Sequence, residues 1–369
     1  MSPKRAPDFW LFTLAIVLLV IGVLMVFDAS YARAGERGDS HYFMKRQVLF
    51  ALVGLAVMFV AMRIRYWKLR PFALTLLLVS IIGLGLVLVL GESVNGARRW
   101  IRCPGLNLQI QPSEFAKLGL VVYMAASLSA KAREIRDFKR GFLRALIPLV
   151  LIGILVMAEP DMGTTVVLMA TALIMICMAG ARKRHLALVL AIGLLLGTAL
   201  IFAAPYRKDR LMSFRNPFED YYGSGYQVSQ SLIALGSGGV LGRGFCESRE
   251  KLFYLPAEHT DFIFAVLGEE TGLVGTLAVA SLFLLFGARG FSIAYRTKDG
   301  FGRLLAGGIA AMISGQALLN MCVVTSSVPA TGVPLPFISY GGSSLVLNLV
   351  CVGILLNVSK HPAPVKGYQ

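Results

Sequence analysis

The sequence predicts an all-α polytopic membrane protein of about ten transmembrane helices, N-in and C-in, with a long extracytoplasmic loop between helices 7 and 8. Three observations lead there. Of 369 residues, 56% are hydrophobic and only 15% charged, more apolar surface than a soluble domain of that length can hide. The apolar residues gather in runs near the roughly 20 residues that a helix needs to cross hydrocarbon. Those runs lack the alternation of barrel strands, and lipid offers no partner for an open strand edge.

The predicted spans are about 9–27, 47–62, 71–90, 113–130, 142–158, 163–180, 185–204, 262–288, 304–325 and 342–358. The first ends in "FDASYARAG", which imitates a signal-peptidase site, but its apolar run is too long for an ordinary leader and reads as an uncleaved anchor. "QPSE" opens the fourth, with Ser113 suited to the N-cap and Glu114 to the positive helix end. "AEPDMGTT" joins the fifth and sixth: Pro160 breaks one helix and Asp161 can cap the next. Residues 205–261 form the long loop, within which 226–235 reads as a short amphipathic or re-entrant helix. Pro256 stops that loop, Thr260 or Asp261 can cap the eighth span, and Gly268, Gly272 and Gly275 predict a break or a close helix approach inside it. The connection "SSVPATGVPLPFISYGGSS" carries three prolines and no charge, which suits a semi-rigid loop dipping into a cavity. No interval is long enough for a soluble catalytic unit, so residues 1–369 read as one integral membrane domain.

Lysine and arginine orient the chain. With the N-terminus inside, the cytoplasmic segments hold twenty of these residues, the four short outer loops seven, and the long outer loop another seven, a segment that counts for less. Much of the net charge of +16 is therefore a topology signal facing anionic headgroups rather than a nucleic-acid surface. Cys177, Cys322 and Cys351 fall within spans as packing residues; Cys103 and Cys246 fall in outer loops, as a disulfide or as two thiols. Four scattered histidines do not form a zinc site.

In this topology the unusual polar residues collect on the outer side, and an ionisable group at membrane depth is a functional candidate by default. Arg98, Arg99 and Arg102 precede "QPSEFAKL", where Glu114 and Lys117 share a helix face as either an internal ion pair or a cavity wall. Glu159 either lies in a tight turn or lines the same cavity. "LPAEHTDFIFAVLGEETG" places Glu258, His259 and Asp261 together, with Glu269 and Glu270 one to two turns deeper; a cap alone does not require so many. Gly341, Gly342, Ser343 and Ser344 offer backbone and hydroxyl donors at a helix start, suited to phosphate or sugar oxygens. "GSGGVLGRG" lacks the spacing of a nucleotide loop and reads as a flexible turn.

"VNGARRWI", "QPSEFAKL", "EPDMGTT", "KLFYLPAEHTDFIFAVLGEETGLVG" and "TGVPLPFISYGGSS" occur in the order and spacing of the SEDS proteins (shape, elongation, division and sporulation). The resemblance runs through nearly the whole chain and looks closest to the cell-division and sporulation branch, with the rod-shape branch as the alternative. It implies a peptidoglycan glycosyltransferase polymerising lipid II at the outer face of the bacterial cytoplasmic membrane. It also implies a class B penicillin-binding protein (a transpeptidase) and other elongation or division proteins as partners. The family's catalytic acid maps onto Asp261, and its other polar motif residues onto Arg99, Glu114 and Lys117.

The chemistry agrees with the residues. An α-linked donor and a β-linked product require a single inverting displacement, with one general base at the acceptor hydroxyl. Asp261 is the candidate base. Arg98, Arg99 and Lys117 are candidates for receiving the departing undecaprenyl diphosphate, with Glu114, Glu258, His259 and Ser343 as further substrate contacts. A divalent cation, Mg or Mn, bridging the diphosphate is the candidate cofactor. The main rival is a lipid-linked oligosaccharide (lipid II) flippase, which should line both ends of its path with polar groups. An O-antigen ligase and a noncatalytic division scaffold are weaker fits.

Overall fold

The computed structural model describes residues 6–361, apart from 36–37, 95–96, 104–107, 203–213, 215–216, 219–224, 252–254 and 257. Each predicted span coincides with a helix: α1 (Phe9–Gly35), α2 (Tyr42–Arg63), α3 (Ala73–Leu90), α4 (Pro112–Ala130), α5 (Leu143–Ala158), α6 (Met162–Met178) and α7 (Lys183–Phe202). After the long loop come α8 (Tyr226–Gly238), α9 (Ile263–Arg296), α10 (Gly300–Val324) and α11 (Gly342–Lys360). Among the described residues seven helices are long and apolar enough to cross a bilayer, and α6 is a shorter apolar one. The chain is a polytopic α-helical membrane protein.

Its interior is built on α10 and α11, which are buried along most of their length. The former packs against α4, α6 and α9, the latter against α2. Small residues allow these approaches, as expected where lipid supplies no hydrophobic drive between helices. A Cβ on Gly22 of α1 would run into the backbone of Phe337 and Ile338, so the loop after α10 lies directly on α1. Outward faces stay apolar: α3 exposes Leu74, Leu78, Ile82, Leu86 and Val89, a stripe for lipid.

One connection between the helices is not helical. Between α3 and α4 lie β1 (Glu92–Val94), β2 (Ala97–Cys103) and β3 (Leu108–Ile110), an antiparallel sheet in that order. The three strands satisfy one another's backbone groups by pairing across two turns. The start of the long loop, residues 205–213, lies outside the described residues, as does the side chain of Cys103. Cys246 is a free thiol. The segment predicted as an amphipathic or re-entrant helix is α8, which packs on α9.

The predicted break in α9 falls at Gly272, with φ +66° and ψ −163°, a conformation open to essentially no other residue. Breaking the helix frees backbone groups, and the glycine-rich turn after α8 takes them up. Leu273 N donates to Gly239 O at 2.9 Å and Val274 N to Val240 O at 3.2 Å. In return Arg243 N and Gly244 N donate to the carbonyls of Glu269 and Glu270, each at 3.0 Å. "GSGGVLGRG" is thus a fitted partner of the helix break. Gly272→Ala is expected to lower stability by about 1–3 kcal/mol. A thermal unfolding midpoint equal to wild type in detergent would refute that role.

Candidate active site at one end of the bundle

The polar motifs meet where α1, α5 and α10 end and α2, α4, α6, α9 and α11 begin. Residues 258–262 form turns before α9, whose N-cap is Phe262. Neither Thr260 nor Asp261 occupies the cap position expected of them, because this turn is tied sideways into the bundle. Asn320 of α10 donates from one amide nitrogen to Asp261 O at 2.7 Å and Val333 O at 2.8 Å. Ser339 Oγ donates to Thr260 O at 2.6 Å, and Tyr340 N to His259 O at 2.9 Å. The uncharged loop 331–340 therefore dips into the bundle, as predicted, and clamps the turn that carries Asp261.

Within that loop Gly332 has φ +71° and no side chain. A Cβ there would lie 3.5 Å from Asp261 Oδ2 and 3.9 Å from Arg99 Nη1. The half-buried carboxylate and guanidinium thus face the same small space above Gly332. Arg99 reaches it from β2, held by Nε donating to Glu159 O at 3.1 Å and Nη2 donating to Pro160 O. The sequence places Arg98 and Arg99 side by side, but they take different partners, and the strand pairing shifts register across Arg99, with Ser93 opposite Arg98 and Glu92 opposite Trp100. Arg98 is exposed and donates to Leu88 O at 3.1 Å, and Arg102 pairs with Glu92 at 3.3 Å.

Glu114 and Lys117 form an internal ion pair, 2.8 Å apart and each 2% exposed. Lys117 Nζ also donates to Gln316 Oε1 at 2.5 Å, and Gln316 Nε2 donates to Pro334 O at 2.9 Å. The pair sits beside a narrow crevice lined by Leu120, Met124, Leu168 and Thr171, and it braces the loop bearing Gly332. Ser113 does not cap α4: Gln111 takes that place, Pro112 fills the first helical position, and Ser113 Oγ is buried without a partner. Asp161 caps α6 as expected, accepting from Thr164 N at 3.0 Å and Thr164 Oγ1 at 2.8 Å.

Glu258 Oε1 accepts from Arg33 Nε of α1 at 3.0 Å and lies 3.3 Å from His259 Nδ1. The His259 ring packs against Phe43 and Tyr340. These two residues knit α1, α2 and the loop together. Ser343 lies in the first turn of α11 with its hydroxyl buried and unpartnered.

Glu269 and Glu270 hold the stretch after the glycine turn. Glu269 accepts from Ser248 Oγ at 2.5 Å, Arg249 N at 3.0 Å and Arg243 Nη1 at 3.4 Å. Glu270 and Asp28 of α1 share the Lys251 ammonium, at 2.7 and 2.6 Å. The spacing of Gln316 and Asn320, four apart in an apolar span, was the visible sign of the amide clamp. Arg33, Asp28 and Lys251 gave no such sign.

Residues 9–363 match the family described as "Cell cycle protein", which takes in FtsW, RodA and SpoVE. The chain belongs to this family. It is 44% identical to stage V sporulation protein E of Bacillus subtilis, over 98% of this chain and 99% of that one. It is 42% identical to a probable peptidoglycan glycosyltransferase FtsW of Geobacter metallireducens, over 95% of this chain and 94% of that one. Two solved structures share the fold. One is a chain from a study of how a peptidoglycan synthase complex coordinates polymerization and crosslinking, at TM-score 0.80 and 27% identity, covering 96% of this chain and 98% of that one. The other is the rod shape determining protein RodA of Thermus thermophilus, at TM-score 0.71 and 28% identity, covering 97% and 98%.

Proposed function

We propose that this chain is a peptidoglycan glycosyltransferase that polymerises lipid II at the outer face of the bacterial cytoplasmic membrane. The observation that carries the reading is the shared space above Gly332, where the Asp261 carboxylate meets the Arg99 guanidinium at the polar end of an apolar bundle. A base and a cation a few ångströms apart suit an inverting displacement. Asp261 takes the proton of the acceptor 4-hydroxyl, worth ~10²–10⁴-fold. Arg99 meets the negative charge that grows on the diphosphate as the anomeric bond breaks. Glu114, Lys117 and Gln316 act from behind, keeping the loop at Pro334 in place.

In this reading all ten of the spanning helices cross the membrane, both ends are cytoplasmic, and the 205–261 loop is extracytoplasmic, as the basic residues direct. The polyprenyl tail stays in lipid along the apolar outer faces. A divalent cation carried by the diphosphate could take the Asp261 carboxylate, which borders Gly332, as a ligand; no cluster of three metal-ligating side chains occurs among the described residues. A class B penicillin-binding protein is the partner, joining the strands by transpeptidation.

Purified protein, with and without that partner, incubated in detergent with lipid II should give glycan strands on a gel. A flippase would give none, since detergent leaves no two sides to cross, and that result would overturn the proposal.

A further inference from the structure

Glu159 closes α5 in the turn before α6 and is 0% exposed. Neither of its carboxylate oxygens has a hydrogen-bond partner. Arg99 is its neighbour, yet the guanidinium donates to the backbone carbonyls of Glu159 and Pro160 rather than to the carboxylate. Its remaining nitrogen, Nη1, faces the space above Gly332 across from Asp261. On the other side stands Asp161, whose carboxylate oxygens accept the two donors of Thr164. An ionised Glu159 would thus be a buried charge without donors beside a second carboxylate, an arrangement proteins avoid by keeping the proton.

We propose that Glu159 is a positioning residue for Arg99 that works as the neutral acid, filling the space behind the guanidinium without cancelling its charge. The cation then remains available to an anionic group of the diphosphate class on the Gly332 side. This rests on the glycosyl-transfer reading of that space. Were Glu159 a carboxylate, it would compete for Arg99 and draw the guanidinium back from Asp261.

The charged groups around Glu159 are Arg99 from β2, Asp161 at the start of α6, and Asp261 beyond Gly332. Burial, with Asp161 adding to it and Arg99 opposing, pushes the Glu159 carboxyl up to about 8. The sign follows directly. Below that pH the acid is neutral and Arg99 serves the ligand; above it the carboxylate forms and the cation is lost to it. The ratio kcat/KM for lipid II should therefore fall on the alkaline side, by up to tenfold per pH unit.

The test compares wild type, Glu159→Ala and Glu159→Gln, purified with the partner, over pH 6 to 9.5. Glu159→Ala should lose at least tenfold in kcat/KM at neutral pH. Glu159→Gln, a permanently neutral isostere, should rescue that loss and remove the alkaline fall. A second arm reads the proton itself: infrared spectra at neutral pH should show a protonated-carboxyl band that Glu159→Gln abolishes. An unchanged alkaline limb in Glu159→Gln, or no such band, would overturn the proposal. If wild type makes no polymer at all, the glycosyl-transfer reading fails by itself, and the infrared arm still decides the state of Glu159.

Discussion

Asp261→Asn should reduce lipid II polymerisation by ~10²–10⁴-fold, the share that a positioned general base supplies, while leaving the protein folded. The amide keeps the size of the carboxylate but cannot take a proton. The turn around it is held by backbone carbonyls, since Asn320 bonds Asp261 O and Ser339 bonds Thr260 O. Those contacts do not depend on the Asp261 side chain. Glycan strands on a gel, alongside the thermal midpoint in detergent, separate chemistry from folding. Turnover within a factor of a few of wild type would remove Asp261 as the base. A matching loss of stability would instead make it structural.

A second large effect is expected at Lys251. Its ammonium lies between Asp28 Oδ1 and Glu270 Oε1, joining the long loop to α1 and α9. Burial alone would lower the Lys251 pKa, but the two carboxylates outweigh it and hold the ammonium above its usual range. Lys251→Met leaves two acids buried without their cation and should cost about 3–5 kcal/mol, the scale of a broken buried pair. Adding Asp28→Asn and Glu270→Gln should restore most of that, because the uncompensated charge is gone. Unfolding midpoints of the single and triple variants check this. A Lys251→Met protein as stable as wild type would show that the bridge carries no load.

Both expectations concern groups that the linear order presents very differently. Asp261 stands in a dense polar motif and was legible as a site residue before any geometry was known. Lys251 and Asp28 are single charges 223 residues apart, and no local pattern pairs them. Glu269 and Glu270 were conspicuous as two acids one to two turns deeper than Asp261, more than a helix cap requires. The fold assigns them to anchoring the 243–251 stretch. Arg98 and Arg99, adjacent in sequence, take different partners for a local reason: the strand pairing shifts register across Arg99, so Arg98 bonds Leu88 O while Arg99 turns to Glu159 O.

By itself the sequence determined the membrane class, the approximate position of the long helices, a break or close approach among Gly268, Gly272 and Gly275, and the stretch that bears Asp261. Each of these depends on local hydrophobic length, helix-start chemistry or the conformational freedom of one glycine. The tertiary structure alone decided which polar groups meet. Lys117 reaches across to Gln316 of α10, Glu258 pairs with Arg33, and Arg99 lies opposite Asp261 above Gly332. Such contacts join segments far apart in the chain, and their geometry is set by how helices pack rather than by any repeat within one helix.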